Sequence, residues 1–438
     1  MKEALLLGVA REDITPPVGG HLFGYSTDIF STEVHDPLQV TAFYLKQEQT
    51  TALMVNATIC LVNTELSDRI RREICEASKV PFGHIMLCAT HTHSGPNVTK
   101  SPGWGDIDME YVEGIFLPRI LSAVKNAAAN TTAVTVGIGT GTSLVGINRR
   151  QLNADNQVVL GQNPWGPFNP EMTVISFRDA QENTVANIIS YGAHGTAAGH
   201  HTAISRDWSG VMVDRLEELT GGLTAFFNGA AGDVGPRLTN GRTTGIDNIH
   251  YVEEHGGLAA ADAVRIYRTI NCYREADLAC YAGVTRLPVK PRLSPEEATA
   301  RLQALEGATS SLSTATRVHL QEILASYTNG YEEQEAVDVP QTLIRIGEVA
   351  FAGFPYELFS EIAMRIAQAS TIPHVLSLSY TNGHEHYFVT ESELCRGGYE
   401  VGVHKLAGLQ EWVDDADWYL MKETVKNLKE LLQEASGK

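Results

Sequence analysis

The chain lacks an excess of positive charge. Its 438 residues include 33 lysines and arginines against 52 acidic residues, which gives a formal net charge of −19. Such a chain repels phosphate backbones and anionic lipid headgroups. The composition therefore predicts no nucleic-acid partner and no bulk membrane partner.

Long hydrophobic runs and paired cysteines are also missing. The first 17 residues, MKEALLLGVAREDITPP, contain one short apolar stretch interrupted by arginine and acids, which predicts neither a secretory signal nor a spanning helix. The six cysteines are scattered without CxxC spacing, which is typical of reduced, packed thiols and predicts no thiolate metal site. We therefore expect a cytoplasmic protein without stable membrane insertion.

The chain has neither internal repeats nor a low-complexity linker, so we predict a single domain over residues 1–438. Apolar runs of strand length alternate with segments of helical period, and 43% of the residues are hydrophobic. This pattern predicts an α/β fold with a mixed, largely buried β-sheet flanked by helices. The strand-like runs include TALMVNATIC, HIMLCAT, VANIISYGA, LTAFFNG, EVAFAGF and HVLSLSY.

Two further segments have a helical pattern but few chemically active residues. Ser294, Pro295 and Glu297 form a capping-box signature at the start of residues 293–333, which predicts a helical hairpin insertion. Residues 414–434 carry acids first and lysines later, as the helix dipole favours, and predict a C-terminal helix.

Five apolar runs end in loops that are dense in His, Asp, Asn, Glu and Gly. These loops are THTHSGP after Thr90, HGT at 194, NGAAGDVGPR at 228, PYE at 355 and TNGHEHY at 381. Ligands of open α/β sheets bind at the carboxyl ends of strands. The five loops are therefore predicted to converge on one site.

The imidazoles are the first candidates for a metal site. His91 and His93 are two residues apart at a strand end, where a period of two places both rings on one face. His194 follows another apolar run and could supply a third nitrogen. A pair of surface imidazoles and one structural histidine is the alternative.

The remaining candidates are weaker when each is taken alone. Glu357 precedes an amphipathic segment, which predicts that its carboxylate lies in a first helical turn, and dipole compensation there explains such an acid better than a functional role does. The glycines of NGAAGDVGPR offer a backbone turn for an oxyanion, although Asp233 and Arg237 within it could form a structural ion pair. Arg149 has the planar fork that holds a carbonyl or carboxylate.

Taken together and in order, these motifs resemble the neutral/alkaline ceramidase family. The resemblance runs from residue 8 to about residue 402, and ATHTHSGP is its most specific element. Beyond the loops above, it includes GVAREDITPP near the start, INR at Arg149 and the HYFVTESELCRGGYE stretch.

The resemblance implies a hydrolase, more narrowly a zinc-dependent amidohydrolase with one Zn²⁺ per chain. The implied metal ligands are His91, His194, Glu357 and Tyr387, with His384 and His386 as alternatives to Tyr387. The implied catalytic or substrate-contacting residues are His93, Arg149 and Tyr399. The implied partner is a small-molecule acyl-amide substrate, and the sequence leaves a homo-oligomer open.

The chain departs from the family at the glycine-rich loop, where Gly235 stands in the place of a serine. This difference, with the cytoplasmic expectation, predicts a ceramidase-like enzyme that cleaves an N-acyl bond of a small, polar substrate by a metal-activated water. The alternatives are a lactonase, an esterase or a true ceramidase on the same zinc. A non-catalytic relative that keeps the metal as a structural element is the alternative outside enzymes.

Overall fold

The computed structural model describes residues 3–246 and 248–436, and most of its β-structure forms three sheets. The N-terminal sheet has the strand order Ile85–Ala89, Thr50–Ala57, Gln39–Gln47, Leu6–Asp13, Thr131–Ala133. The central sheet has the order Leu223–Asn228, Thr184–Tyr191, Glu171–Arg178, Thr135–Thr142. The C-terminal sheet has the order Leu278–Pro288, Ala336–Ile346, Val349–Gly353, His374–Leu378. The predicted α/β class is confirmed, with the strands divided among these sheets.

Each of the three sheets contains one parallel pair at its edge. The outermost strand of each pair is Ile85–Ala89 in the N-terminal sheet, Leu223–Asn228 in the central sheet and His374–Leu378 in the C-terminal sheet. The other pairs within these sheets are antiparallel. Because paired parallel strands end at the same sheet edge, each sheet places two loops side by side.

Within the described residues, the remaining strands form five short two-stranded pairs. They are Leu22–Phe23 with Gly95–Pro96, Glu33–Val34 with Ala203–Ile204, Gly146–Asn148 with Val234–Pro236, Arg150–Leu152 with Val158–Leu160, and Glu357–Leu358 with Tyr387–Phe388.

The helices flank the sheets. The longer ones are Thr64–Ser78, Leu117–Ala129, Trp208–Thr220, His250–Tyr267, Pro295–Ala304, Ser311–Ser326, Ser360–Ala369 and Ala416–Ser436. The short ones are Phe82–His84, Met109–Tyr111, Val112–Phe116, Glu391–Leu394 and Tyr399–His404. The capping box predicted at Ser294 is formed, and the two helices that follow it pack on each other around a small core of their own. Within the described residues, no helix is both long and apolar enough to cross a bilayer.

The three sheets share one core. Phe43 and Met54 of the N-terminal sheet, Phe227 of the central sheet and Phe351 of the C-terminal sheet are all fully buried in it. Strands that are buried on both faces need continuous apolar runs, and such runs can be recognised in the sequence. Asn56 interrupts one run, and its amide donates to the carbonyl of Phe226 (2.7 Å), which links two sheets.

Candidate metal centre and active site

Three side chains meet at one point, and each belongs to a segment that follows a strand of a different one of the three sheets. The Nε2 atoms of His91 and His194 lie 3.4 Å and 3.1 Å from the same carboxylate oxygen of Glu357, Oε2. The three residues are only 2%, 1% and 5% exposed. The strand-end loops that carry them thus converge as predicted.

The hydrogen bonds of the two imidazoles determine which ring nitrogens present lone pairs to the Glu357 carboxylate. Nδ1 of His91 faces the carbonyl of Cys60 (3.0 Å), and Nδ1 of His194 faces the carbonyl of Ala231 (2.8 Å). A carbonyl only accepts, so each Nδ1 carries the proton and each Nε2 presents a lone pair to the carboxylate. Burial lowers the pKa of both imidazoles, which keeps them neutral. Two nitrogens and one carboxylate oxygen that face one another in a buried site fit a divalent cation.

The backbone around these ligands differs from the prediction at two places. The strand before His91 ends at Ala89, and His91 has a left-handed φ of 66°, so a strand period of two does not align His91 with His93. Their rings nevertheless lie 4.7 Å apart. The predicted placement of Glu357 in a first helical turn is wrong, because the helix begins at Ser360 and Glu357 pairs with Tyr387 in a short strand.

Tyr387 lies at the edge of the cluster and is held by a buried ion network. Its hydroxyl is 3.4 Å from Nε2 of His194 and accepts a hydrogen bond from Arg149 (2.8 Å). Glu400 holds that arginine (2.9 Å) and also accepts from Arg150 (2.5 Å). Burial raises the pKa of Tyr387, and the positive charge of Arg149 acts in the opposite direction.

The two histidines beside Tyr387 have other contacts. Nε2 of His384 is 3.4 Å from Oε1 of Glu357, the oxygen that faces away from His91 and His194. The carbonyl of His386 accepts a hydrogen bond from the backbone N–H of Glu357. His384 therefore contacts the carboxylate and His386 the backbone of Glu357, whereas the Tyr387 hydroxyl contacts His194.

His93 lies next to the cluster rather than in it. Its Nε2 is 3.1 Å from Nε2 of His91, and its Nδ1 is buried without a hydrogen-bond partner among residues 3–246 and 248–436. Burial lowers the pKa of His93 to about 3, so the ring is neutral at neutral pH.

Tyr399 begins a short helix, and its ring lies 5.9 Å from that of Tyr387. All seven site residues predicted from the sequence are therefore within one group of contacts. Their roles as ligands and catalysts stay predictions.

Several residues of this group were missed by the sequence reasoning. Tyr380 stacks on His91 (4.0 Å between ring centroids) and donates to Oε2 of Glu357 (3.3 Å), and Cys60 lies 3.5 Å from Nδ1 of His91. Burial raises the pKa of the Cys60 thiol, which keeps it protonated. Glu400, which directly follows Tyr399, was also missed. The sequence signal for it was the pair of adjacent arginines at 149 and 150, which need an acidic partner when they are buried.

The glycine-rich loop NGAAGDVGPR lies next to the site, and its backbone carbonyls accept hydrogen bonds from the amides of His194 and Arg149. Asp233 accepts hydrogen bonds from the amide and the hydroxyl of Ser360, whereas Arg237 donates to the carbonyls of Leu144 and Gly146. The ion pair between Asp233 and Arg237 is therefore not formed. At Gly235, a Cβ atom would lie 2.4 Å from Cβ of Thr243, so that threonine occupies the space of any larger residue.

The fold and the site together define an α/β protein with a buried His–His–Glu centre. A model of the N-terminal region of neutral/alkaline non-lysosomal ceramidases matches residues 5–248, more than half of the chain. The chain belongs to this family. Membership supports a hydrolase that acts on amide bonds.

Individual relatives agree with this assignment. The neutral ceramidase of Pseudomonas aeruginosa is 22% identical over 475 residues, which cover 90% of this chain and 68% of the relative. The crystal structure of neutral ceramidase from Pseudomonas aeruginosa matches 98% of this chain and 75% of its own, with a TM-score of 0.74 and 21% identity. A structure described as ceramidase complexed with C2 matches the same shares with a TM-score of 0.72 and 20% identity. The structural likeness shows the fold.

Proposed function

We propose that this chain is a zinc-dependent amidohydrolase that cleaves an N-acyl bond of a small, polar substrate. The observation that carries the proposal is the set of lone pairs on His91, His194 and Glu357, which face one another in a buried site and need a cation between them. Tyr387 completes a set of four nitrogen and oxygen donors, the number that zinc favours.

A zinc ion in this site would supply a Lewis acid and an activated water. His93 is placed to move the proton. Nε2 of His93, on the side of His91, takes a proton from the attacking water and delivers it to the departing amine nitrogen. The new carbon–oxygen bond forms first, with negative charge on the acyl oxygen, and the carbon–nitrogen bond then breaks as the amine nitrogen is protonated, so an acid and an amine are released.

Arg149 and Tyr399 stabilise the acyl oxygen as negative charge develops on it. Arg149 remains charged because Glu400 and the Tyr387 hydroxyl lie against it. A fixed, buried donor costs no reorganisation during the reaction and is therefore effective for an oxyanion. The ring of Tyr399 lies beside the ring of Tyr387.

Two features support a small, polar substrate. Tyr25 packs over His93, with 4.8 Å between the ring centroids, and narrows the space beside it. The wall of the site is also rich in polar groups, since His93, Arg149 and Tyr399 all border it.

The test is hydrolysis of matched acyl compounds by the metal-loaded protein. The panel contains short N-acetyl amides, the corresponding esters and lactones, and a short-chain ceramide, each with and without a chelator. We expect chelator-sensitive release of amine from the short amides. Faster turnover of the esters or lactones than of the amides would reassign the reaction to ester or lactone hydrolysis. Faster turnover of the ceramide than of the short amides would contradict the proposal of a small, polar substrate.

A matched pair of variants separates the proton-transfer role from metal binding. His93→Gln retains a polar side chain without a basic nitrogen, and we expect a loss of about 10²–10⁴ in kcat with metal content unchanged. Unchanged turnover by His93→Gln would remove the proton-transfer role. The control is His84→Gln, at the end of the short helix Phe82–His84, where the imidazole faces the carbonyl of Thr51 and not the cluster.

A further inference from the structure

Tyr25 belongs to a loop that lies directly on His93. The short strand Leu22–Phe23 pairs with Gly95–Pro96, which follows His93, so the register of this pair fixes the loop over the imidazole. Gly24 has a φ of 131°, and a Cβ atom there would be 2.4 Å from Nδ1 of His93. The backbone can approach the ring this closely only because residue 24 is glycine.

The Tyr25 ring separates the site from the surface. Its centroid is 4.8 Å from that of His93 on one side and 4.4 Å from that of His200 on the other. His200 is exposed, whereas His93 faces the buried cluster. The tyrosine is therefore the part of the wall that lies against the proposed proton carrier.

The hydroxyl of Tyr25 points away from solvent and has no hydrogen-bond partner within the described part of the chain. The charged and polar groups that act on it are Asp207, Cys60 and Arg149, of which the last two border the metal centre. Burial raises the pKa of Tyr25, so the hydroxyl is a donor at neutral pH. A buried donor without an acceptor is unfavourable, and such groups in native proteins commonly bind a ligand or water.

We propose that the Tyr25 hydroxyl is a further substrate-contacting group of the active site, which donates a hydrogen bond to an oxygen of the acyl half of the substrate and of the carboxylate product. The inference rests on the proposed function, because it takes the acyl group to lie between His93 and Arg149. The ring has a second, separable role, which is to hold His93 in place.

Two substitutions at residue 25 distinguish the hydroxyl from the ring. Tyr25→Phe keeps the ring against His93 and removes only the donor. Tyr25→Leu removes both. The control is Tyr419→Phe, which removes a hydroxyl from a partly exposed tyrosine in the C-terminal helix.

The first measurement is kcat/KM on a short N-acetyl amide that the wild type hydrolyses. We expect about a tenfold loss for Tyr25→Phe, a larger loss for Tyr25→Leu, and none for the control. Unchanged kcat/KM in Tyr25→Phe together with a loss in Tyr25→Leu would overturn the contact and leave a packing role alone.

The second measurement does not depend on turnover. Calorimetric titration of the zinc-loaded proteins with acetate, as the carboxylate product, should give an affinity about tenfold weaker in Tyr25→Phe than in wild type, with equal zinc content. Equal acetate affinity in the two proteins would contradict the proposal. If the wild type binds zinc and acetate but hydrolyses no amide, the proposed function fails, and the acetate comparison still decides the role of Tyr25.

Discussion

At the scale of single residues, the buried charges around Arg149 explain how the Tyr387 phenol is held beside the cluster of His91, His194 and Glu357. Glu400 is 1% exposed and binds two adjacent arginines through separate oxygens. One of these arginines donates to the hydroxyl of Tyr387. The orientation of the predicted fourth ligand therefore depends on a carboxylate that does not itself touch the metal cluster.

Glu400→Gln should destabilise the protein and weaken the site. The substitution leaves Arg149 and Arg150 buried with one negative charge fewer, which costs about 3–5 kcal/mol when a buried pair is broken. Urea denaturation measures the free energy of unfolding. Glu332→Gln, at an exposed position, is the control, and a Glu400→Gln protein as stable as this control would show that the network is not needed.

Gly235 and Thr243 should behave as a coupled pair. Gly235→Ser alone introduces a Cβ atom 2.4 Å from that of Thr243 and should lower the melting temperature. Adding Thr243→Gly removes the opposing atom, and the double variant should be more stable than the sum of the single effects predicts. Additive effects in this double-mutant cycle would show that the contact is relieved in another way.

Asp233 should make stability depend on pH. Burial raises its pKa to about 7, so between pH 4 and 7 the folded chain binds a proton that the unfolded chain releases. Stability should therefore fall as pH rises through this window, relative to Asp233→Asn, by up to about 4 kcal/mol. Parallel urea titrations at pH 4 to 8 measure the difference, and a constant difference would contradict the raised pKa.

At the scale of elements, the site is assembled by the ends of the parallel strand pairs. Asn228 ends one such strand, and its amide donates to the carbonyls of Thr90 and Ala193, while its oxygen accepts from the Ala193 amide. These bonds join the loops of His91 and His194. The relative position of the two imidazoles therefore depends on a side chain at the end of another strand.

Asn228→Ala should reduce metal affinity without removing a ligand. Loss of such a supporting residue costs about 10–100-fold in affinity at other metal sites. Competition with a chromophoric chelator measures the zinc affinity. The control is Asn126→Ala on an exposed helical face, and equal affinity in the two variants would show that the backbone alone sets the ligand positions.

Strands could be predicted from the sequence where the hydrophobic pattern of a segment agrees with its burial in the folded chain. The run ending at Ala89 and the run ending at Tyr191 are buried on both faces, and both form strands. Glu357 was ambiguous, because the following helix has its own acid at Glu361 and the strand pairing with Tyr387 joins residues 30 positions apart. Tyr25 and Glu400 could not be predicted, since their contacts with His93 and Arg149 arise only from tertiary packing.

At the scale of the whole molecule, three sheets around a common core hold the functional loops in a fixed relation. Thr92 bridges to Gly195, Cys88 bridges to Thr381, and Glu357 pairs with Tyr387, so backbone contacts connect the loops of all three sheets. The predicted ligands come from residues 91 to 387, and only the complete fold brings them together. Metal binding therefore reports directly on whether this architecture forms the proposed centre.

The most direct measurement is the metal content of the purified protein by elemental analysis. We expect about one zinc per wild-type chain and a loss of that zinc in both His91→Ala and Glu357→Ala. His250→Ala, which alters a side chain that is 72% exposed, should retain the metal. A wild-type protein that takes up no zinc when it is offered, or variants that keep it, would contradict the proposed centre.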